Sequence, residues 1–151
     1  MIGLSFRDAM EVMSAKTWTC ELGGMAHQVL RRVAIDSRQV EPGDCFFAIK
    51  GKMLDGHDFV ETALENGAAI VVCSRSPESA VRSFHDRVFL RVADTTVALQ
   101  ELSRYLRAEW GGRVIGVTGS MGKTTTRTFT AQLLKGSFEV YESPASFNNQ
   151  I

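Results

Sequence analysis

The sequence predicts an α/β protein, a small N-terminal α/β unit followed by the start of a second, parallel α/β unit of the phosphate-loop ATPase type. Three observations predict it. Apolar runs of strand length at 68–73 and 88–92 alternate with helical patterns, and an unbroken apolar run marks a strand buried on both faces. A long helical pattern then ends at Gly111-Gly112, a natural boundary between units. Beyond it a further apolar run, 113–118, feeds a glycine turn that opens straight into a helix. Residues 1–110 are thus expected to form the first unit and 111–151 the beginning of the second.

Taken in order, Ser5 is placed to cap a helix starting at Phe6, with Asp8 at the capping-box position and Met10, Val12 and Met13 carrying the helix on. Extended stretches follow over 17–22 and 28–35, separated by Gly23-Gly24. Pro42-Gly43-Asp44 reads as a turn and 45–49 as a short apolar strand. Asp58 opens a helix that Asn66-Gly67 closes, glycine suiting the left-handed position after a helix. The strand at 68–73 comes next, and a polar stretch with Pro77 leads to the strand at 88–92. Asp94 caps a helix whose apolar face includes Ala98, Leu102, Tyr105 and Leu106. The second unit reads as a strand over 113–118, a helix from Gly122 to Lys135 and a strand over 138–141. So few elements cannot cover both faces of a parallel sheet. The sequence is therefore expected to be the front part of a longer protein.

Charge narrows the partners. Lysine plus arginine equals aspartate plus glutamate, 17 against 17, so no overall field draws in nucleic acid or a membrane surface. An anionic ligand has to be held by a local site. Cys20, Cys45 and Cys73 form neither a C-x-x-C pair nor an even framework, and read as small apolar residues of a reducing compartment. The N-terminus lacks the pattern of a signal peptide, and no apolar run approaches the roughly 20 residues of a membrane span. A cytoplasmic monomer without membrane insertion is expected.

The chemistry is clearest at Gly116-Val117-Thr118-Gly119-Ser120-Met121-Gly122-Lys123-Thr124-Thr125. A turn between buried strand and helix aims successive backbone N–H groups, and the positive end of the helix, at one anion. Glycines keep side chains out of the phosphate's way. Lys123 can reach the β- and γ-phosphates of ATP, and the Thr124 hydroxyl can ligate Mg2+. The eight-residue form of the motif would have glycine where Val117 stands, so the match is to a shorter G-x-x-G-K-T-T. Such a loop serves kinases, ATPases, GTPases and ligases alike.

Further segments narrow the choice. Asp36-Ser37-Arg38 is followed by Pro42-Gly43-Asp44-Cys45-Phe46-Phe47-Ala48-Ile49-Lys50-Gly51, then Asp55-Gly56-His57-Asp58-Phe59, Ala63 and Gly67-Ala68. This ordered set resembles the N-terminal, UDP-binding domain of the Mur ligases, and the loop at 119–126 resembles the opening of their central ATPase domain. Ser146-Phe147-Asn148-Asn149-Gln150-Ile151 is similar to the F-N-N-x-I stretch of the branch that joins D-alanyl-D-alanine to UDP-N-acetylmuramoyl-tripeptide. Ser146 and the pair Arg127-Thr128 depart from that branch's usual residues.

The resemblance implies a role for each segment. Ser37 and Arg38 would contact the uridine diphosphate, and Lys52, Met53 and Leu54 would line the uridine pocket. Gly119, Ser120, Met121, Gly122, Lys123, Thr124 and Thr125 would hold ATP, with Thr124 on Mg2+. Asn148 and Asn149 would lie near the muramoyl substrate. Family chemistry implies phosphorylation of the peptide carboxylate by ATP, then attack of an amine on the acyl phosphate. No catalytic residue is expected within 1–151, and this piece alone is expected to be inactive.

Two other readings stay open. One is the sister ligase that adds the third amino acid; the other is a non-catalytic module that uses the loop only to bind ATP. His57 is read as structural, hydrogen-bonding within its loop, and His27 and His85 as surface residues.

Overall fold

The computed structural model describes residues 4–18 and 29–143. The chain divides into two units, Met1–Gly111 and Gly112–Ile151, and each is described by itself.

In the first unit the Ser5 hydroxyl accepts the Asp8 N–H and starts α1 (Phe6–Val12), which leads to β1 (Lys16–Thr17). In the extended stretch expected over 28–35, Val29 makes an antiparallel bridge with Ser5 and Val33–Ala34 form β2. Residues 19–28 lie outside the described residues. The turn at Pro42-Gly43-Asp44 closes through Asp44 N–H to Glu41 O at 3.0 Å, with Gly43 at φ +94°. The Asp44 carboxylate is almost wholly buried and accepts the Glu41 N–H at 2.8 Å and Arg32 Nε at 3.1 Å. The turn is thus pinned to the chain entering β2, just ahead of β3 (Cys45–Phe47).

A 3-10 turn, Gly56–Phe59, leads into α2 (Val60–Glu65). The sequence points to Asp58 as the start of that helix. Asp55 caps instead, its carboxylate accepting the His57 N–H, because the chain begins to coil one turn earlier. After β4 (Ile70–Cys73) the stretch read only as polar contains a short helix, α3 (Glu78–Ser83). Its polarity hid it: Ala80 is its one buried residue, too little for an apolar stripe. After β5 (Val88–Arg91), α4 (Thr95–Trp110) starts at Asp94, whose carboxylate accepts the N–H groups of Thr96 and Val97. It ends at Gly111 in the left-handed region, φ +62°, as glycine there predicts.

The strands lie in the order β1-β5-β4-β3-β2. β2 to β5 run parallel and β1 pairs antiparallel with β5. Alternate residues feed two cores. Cys45, Phe47, Ile70, Val72, Val88 and Leu90 face the side covered by α1 and α4, with Phe6, Ala9, Ala98, Leu99 and Leu102. Phe46, Ala48, Val71, Cys73 and Phe89 face the other side, under α2 and α3. This two-faced burial explains why the strands read as unbroken apolar runs. Cys45 and Cys73 sit in opposite cores, and burial raises both thiols, Cys73 to about 12.

The second unit holds α5 (Lys123–Lys135). The strands expected at 113–118 and 138–141 do not form. A strand needs a neighbour for its N–H and C=O groups, and no described segment supplies one. Val114 and Ile115 are each 60% exposed, and of the described residues in this unit Ala131 alone is a buried hydrophobic.

Candidate functional site

In a parallel sheet the carboxyl ends of the strands share one edge, and ligands are bound there. The residues following β2, β3 and β4 therefore come to the same edge of the first unit: Asp36-Ser37-Arg38, the segment 50–55, and Ser74-Arg75. The start of α4 joins them, with the buried Thr95 hydroxyl donating to Ala48 O at 2.9 Å just past β3.

After β2, Asp36 caps a 3-10 turn, Ser37–Gln39, by accepting the Arg38 N–H. The same carboxylate holds the Arg38 guanidinium by two contacts, Nε to Oδ1 at 2.9 Å and Nη2 to Oδ2 at 2.7 Å. The guanidinium's hydrogen bond keeps the Asp36 carboxyl below its usual range. Two of the guanidinium's five N–H groups are thereby fixed, and the side chain remains exposed. Ser37, by contrast, is buried, and its carbonyl accepts from Asn66 Nδ2 at 3.0 Å.

After β3 the chain makes a tight hairpin. Lys50 and Asp55 form an antiparallel bridge, Gly51 N–H donates to Leu54 O at 2.8 Å, and Gly56 N–H to Ile49 O at 2.8 Å. Lys52, Met53 and Leu54 make its exposed tip, Met53 being 92% and Leu54 68% exposed. Gly56 is required by close approach, since a Cβ there would stand 2.6 Å from Ile49 N and 2.7 Å from its O.

At the hairpin's base Asp55 Oδ1 lies 2.6 Å from His57 Nδ1, and His57 Nε2 accepts the Ser74 N–H at 3.0 Å. The imidazole is almost fully buried. Arg75 pairs with Asp58 at 2.6 Å and with Asp55 at 3.5 Å. Burial works to raise the Asp55 carboxyl, but the His57 N–H and ring and the charge of Arg75 together hold it below its usual range. Nothing in the sequence points to Ser74, Arg75 or Thr95, because their partners lie 17 or more residues away.

The second unit carries the glycine loop. Gly119 (φ +144°) and Gly122 (φ +75°) take backbone angles that side chains disfavour. Gly122 starts α5 with no side-chain cap, whereas the first N–H groups of α4 are taken up by Asp94. An uncapped first turn with glycine at its head suits an anion. The Lys123 ammonium turns back over the loop and donates to Gly119 O at 2.6 Å. Ser120, Met121, Thr124 and Thr125 are exposed. Thr124 and Thr125 also line a shallow cavity with Thr128, Phe129 and Gln132. Further along, Glu142 accepts from Arg127 Nε at 3.2 Å and from the Thr128 hydroxyl at 3.0 Å. Asn148 and Asn149 lie outside the described residues.

Comparison with known proteins gives consistent matches. The family described as "Mur ligase family, catalytic domain" matches residues 29–107, which fall within the first unit and exclude the loop. The chain is 41% identical over 123 residues to the UDP-N-acetylmuramoyl-tripeptide–D-alanyl-D-alanine ligase of Bacillus subtilis, covering 82% of the chain and 26% of that protein. It is also 41% identical over 118 residues to the UDP-N-acetylmuramoyl-L-alanyl-D-glutamate–2,6-diaminopimelate ligase of Chlorobaculum tepidum, covering 76% of the chain and 22% of that protein. Among solved structures it is similar to the MurF ligase of Thermotoga maritima in complex with ADP. That likeness has a TM-score of 0.65 and 38% identity, over 78% of this chain and 26% of that one. The chain spans about a quarter of the length of these relatives.

Proposed function

This chain belongs to the Mur ligase family, and from that premise we propose that it serves the ligase joining D-alanyl-D-alanine to UDP-N-acetylmuramoyl-tripeptide. In this reading the first unit binds the UDP end of the substrate and the second begins the ATP site. The observation that carries it is the carboxyl edge of the sheet. Arg38 and the Lys52-Met53-Leu54 tip stand at the ends of neighbouring strands, offering a guanidinium and an apolar surface. A nucleoside diphosphate needs both chemistries. The guanidinium edge left over by Asp36 takes the diphosphate, and the hairpin tip covers the base. Ser37, being buried, supports the turn that presents Arg38.

ATP is held by the loop at 119–125, with backbone N–H groups and the start of α5 directed at its phosphates. Lys123 leaves Gly119 O for a phosphate oxygen and stabilises charge on the transferred group. Thr124 would offer its hydroxyl to a magnesium ion, which when bound would neutralise charge on the phosphates. The tripeptide's terminal carboxylate attacks the γ-phosphorus and ADP departs. The amine of D-alanyl-D-alanine then attacks the acyl carbon, gives up a proton, and inorganic phosphate leaves.

The experiment is a calorimetric titration of the chain with UDP-N-acetylmuramoyl-tripeptide, repeated with Arg38→Ala. Binding by the unmodified chain, weakened at least tenfold in the variant, is the expected result. Equal binding by both removes Arg38 from the site. A second reading, the sister ligase that adds the third amino acid, is favoured by the equal identity to the diaminopimelate ligase. Much tighter binding of the UDP-N-acetylmuramoyl-dipeptide would move the assignment there.

A further inference from the structure

Asp55, His57 and Ser74 stand in the order carboxylate, imidazole, hydroxyl. The Ser74 Oγ lies 3.1 Å from His57 Nε2, so the group resembles an activated nucleophile. The hydrogen bonds give the group a different role. A neutral imidazole has one donor nitrogen and one acceptor nitrogen. With Nδ1 donating to Asp55 at 2.6 Å, the single acceptor is Nε2, and the Ser74 backbone N–H already occupies it at 3.0 Å. The hydroxyl is left without a base of its own. A buried ring that satisfies a carboxylate on one side and a strand-end amide on the other is a tie between two segments.

The two segments are informative. Asp55 closes the hairpin through its bridge to Lys50, and Ser74 follows directly after β4. The hairpin springs from β3, so its own hydrogen bonds fix its shape but not its lean over the sheet edge. His57 reaches past that shape to the neighbouring strand. Arg75 adds an outer pair of contacts to Asp55 and Asp58, and it is well exposed, where screening weakens such pairs.

We infer that His57 is a positioning residue for substrate: by bridging Asp55 to the Ser74 amide it fixes how the Lys52-Met53-Leu54 tip lies over the carboxyl edge of the sheet. The inference rests on the proposed binding of the UDP end at that edge. Its consequence is a preorganised tip. Without the tie the hairpin keeps its shape but samples several leans, and binding has to select one of them.

Two variants separate the bonds. In His57→Gln the amide oxygen can reach the position of Nε2 and accept the Ser74 N–H. In His57→Asn the shorter amide can still meet Asp55 but falls short of Ser74. The chain and both variants are titrated with UDP-N-acetylmuramoyl-tripeptide, with Arg38→Ala in parallel, and their thermal midpoints are recorded. The expected result is an affinity about tenfold weaker in His57→Asn, largely restored in His57→Gln, with midpoints that do not account for the difference. Equal affinity in His57→Asn and the unmodified chain, with Arg38→Ala impaired, overturns the inference and leaves the proposed function standing. Absence of binding by the unmodified chain overturns the substrate role together with that function. Should His57→Asn fail to fold, amide exchange in the unmodified chain decides. Slow exchange at Ser74 supports the tie, and exchange there as fast as in an open loop overturns it.

Discussion

At the scale of single residues, the site in the first unit depends on how charged groups are held. Asp36 and Arg38 are two residues apart, and the 3-10 turn between them brings carboxylate and guanidinium into a double contact. The Asp36 carboxyl titrates below its usual 3.8 in the folded chain. Its contribution to stability is therefore present above that value and is lost as pH falls through the lower, folded value. Asp36→Asn should be less stable than the unmodified chain at pH 7, and the gap should close in denaturant melts below pH 3.8. The gap will be small because Arg38 is exposed and Asp36 only half-buried, so solvent screens the pair. Arg38 should also bind a diphosphate less well in that variant, since the carboxylate that orients it is gone. In the second unit, Lys123→Ala should abolish measurable ATP binding while leaving UDP-substrate binding unchanged, as separate titrations would read. Lys123 is proposed from the sequence alone because its motif is local. Asp36 as the anchor of Arg38 was not, because that anchoring appears only when the turn folds.

At the scale of elements, the hairpin at 50–55 is defined by a close approach more than by its own residues. Gly56 passes so near Ile49 that a side chain would have to displace backbone. Gly56→Ala should cost about 1–3 kcal/mol of stability in urea unfolding and weaken substrate binding by loosening the tip. The helices illustrate which local signals survive folding. Ser5 and Asp94 cap as their positions suggest, because an N-cap needs only the next three residues. Asp58 does not start α2, because Asp55 offers the same chemistry a turn earlier and has His57 and Arg75 to hold it. α3 has no apolar stripe, so no local signal marks it. The strands at 113–118 and 138–141 were legible as apolar runs but do not form, since pairing belongs to the neighbour and not to the run.

At the scale of the whole molecule, the two units differ in how well each buries its own hydrophobic residues. The first has a five-stranded sheet with a core on both faces. In the second, Val114, Ile115, Phe129, Leu133, Phe138 and Tyr141 are all exposed. Burial supplies most of the driving force for folding. Hydrogen exchange should therefore find the amides of β3, β4 and β5 strongly protected and those of α5 exchanging far faster. Equal protection in both would show that α5 is stabilised by something other than burial.

The sequence by itself determined the α/β class and the family, and it supplied the proposal of a phosphate loop. Each is written in local order: apolar runs, caps, and a glycine turn between a run and a helix. It also marked Arg38 and the hairpin tip, through a resemblance in which order along the chain is the signal. Tertiary structure alone decided that these segments stand at the ends of neighbouring parallel strands, that Ser37 is covered while Arg38 is not, and that His57 reaches across to Ser74. Those facts depend on strand order and register, which bring together residues 12 or more positions apart, and no local pattern of side chains encodes such a distance.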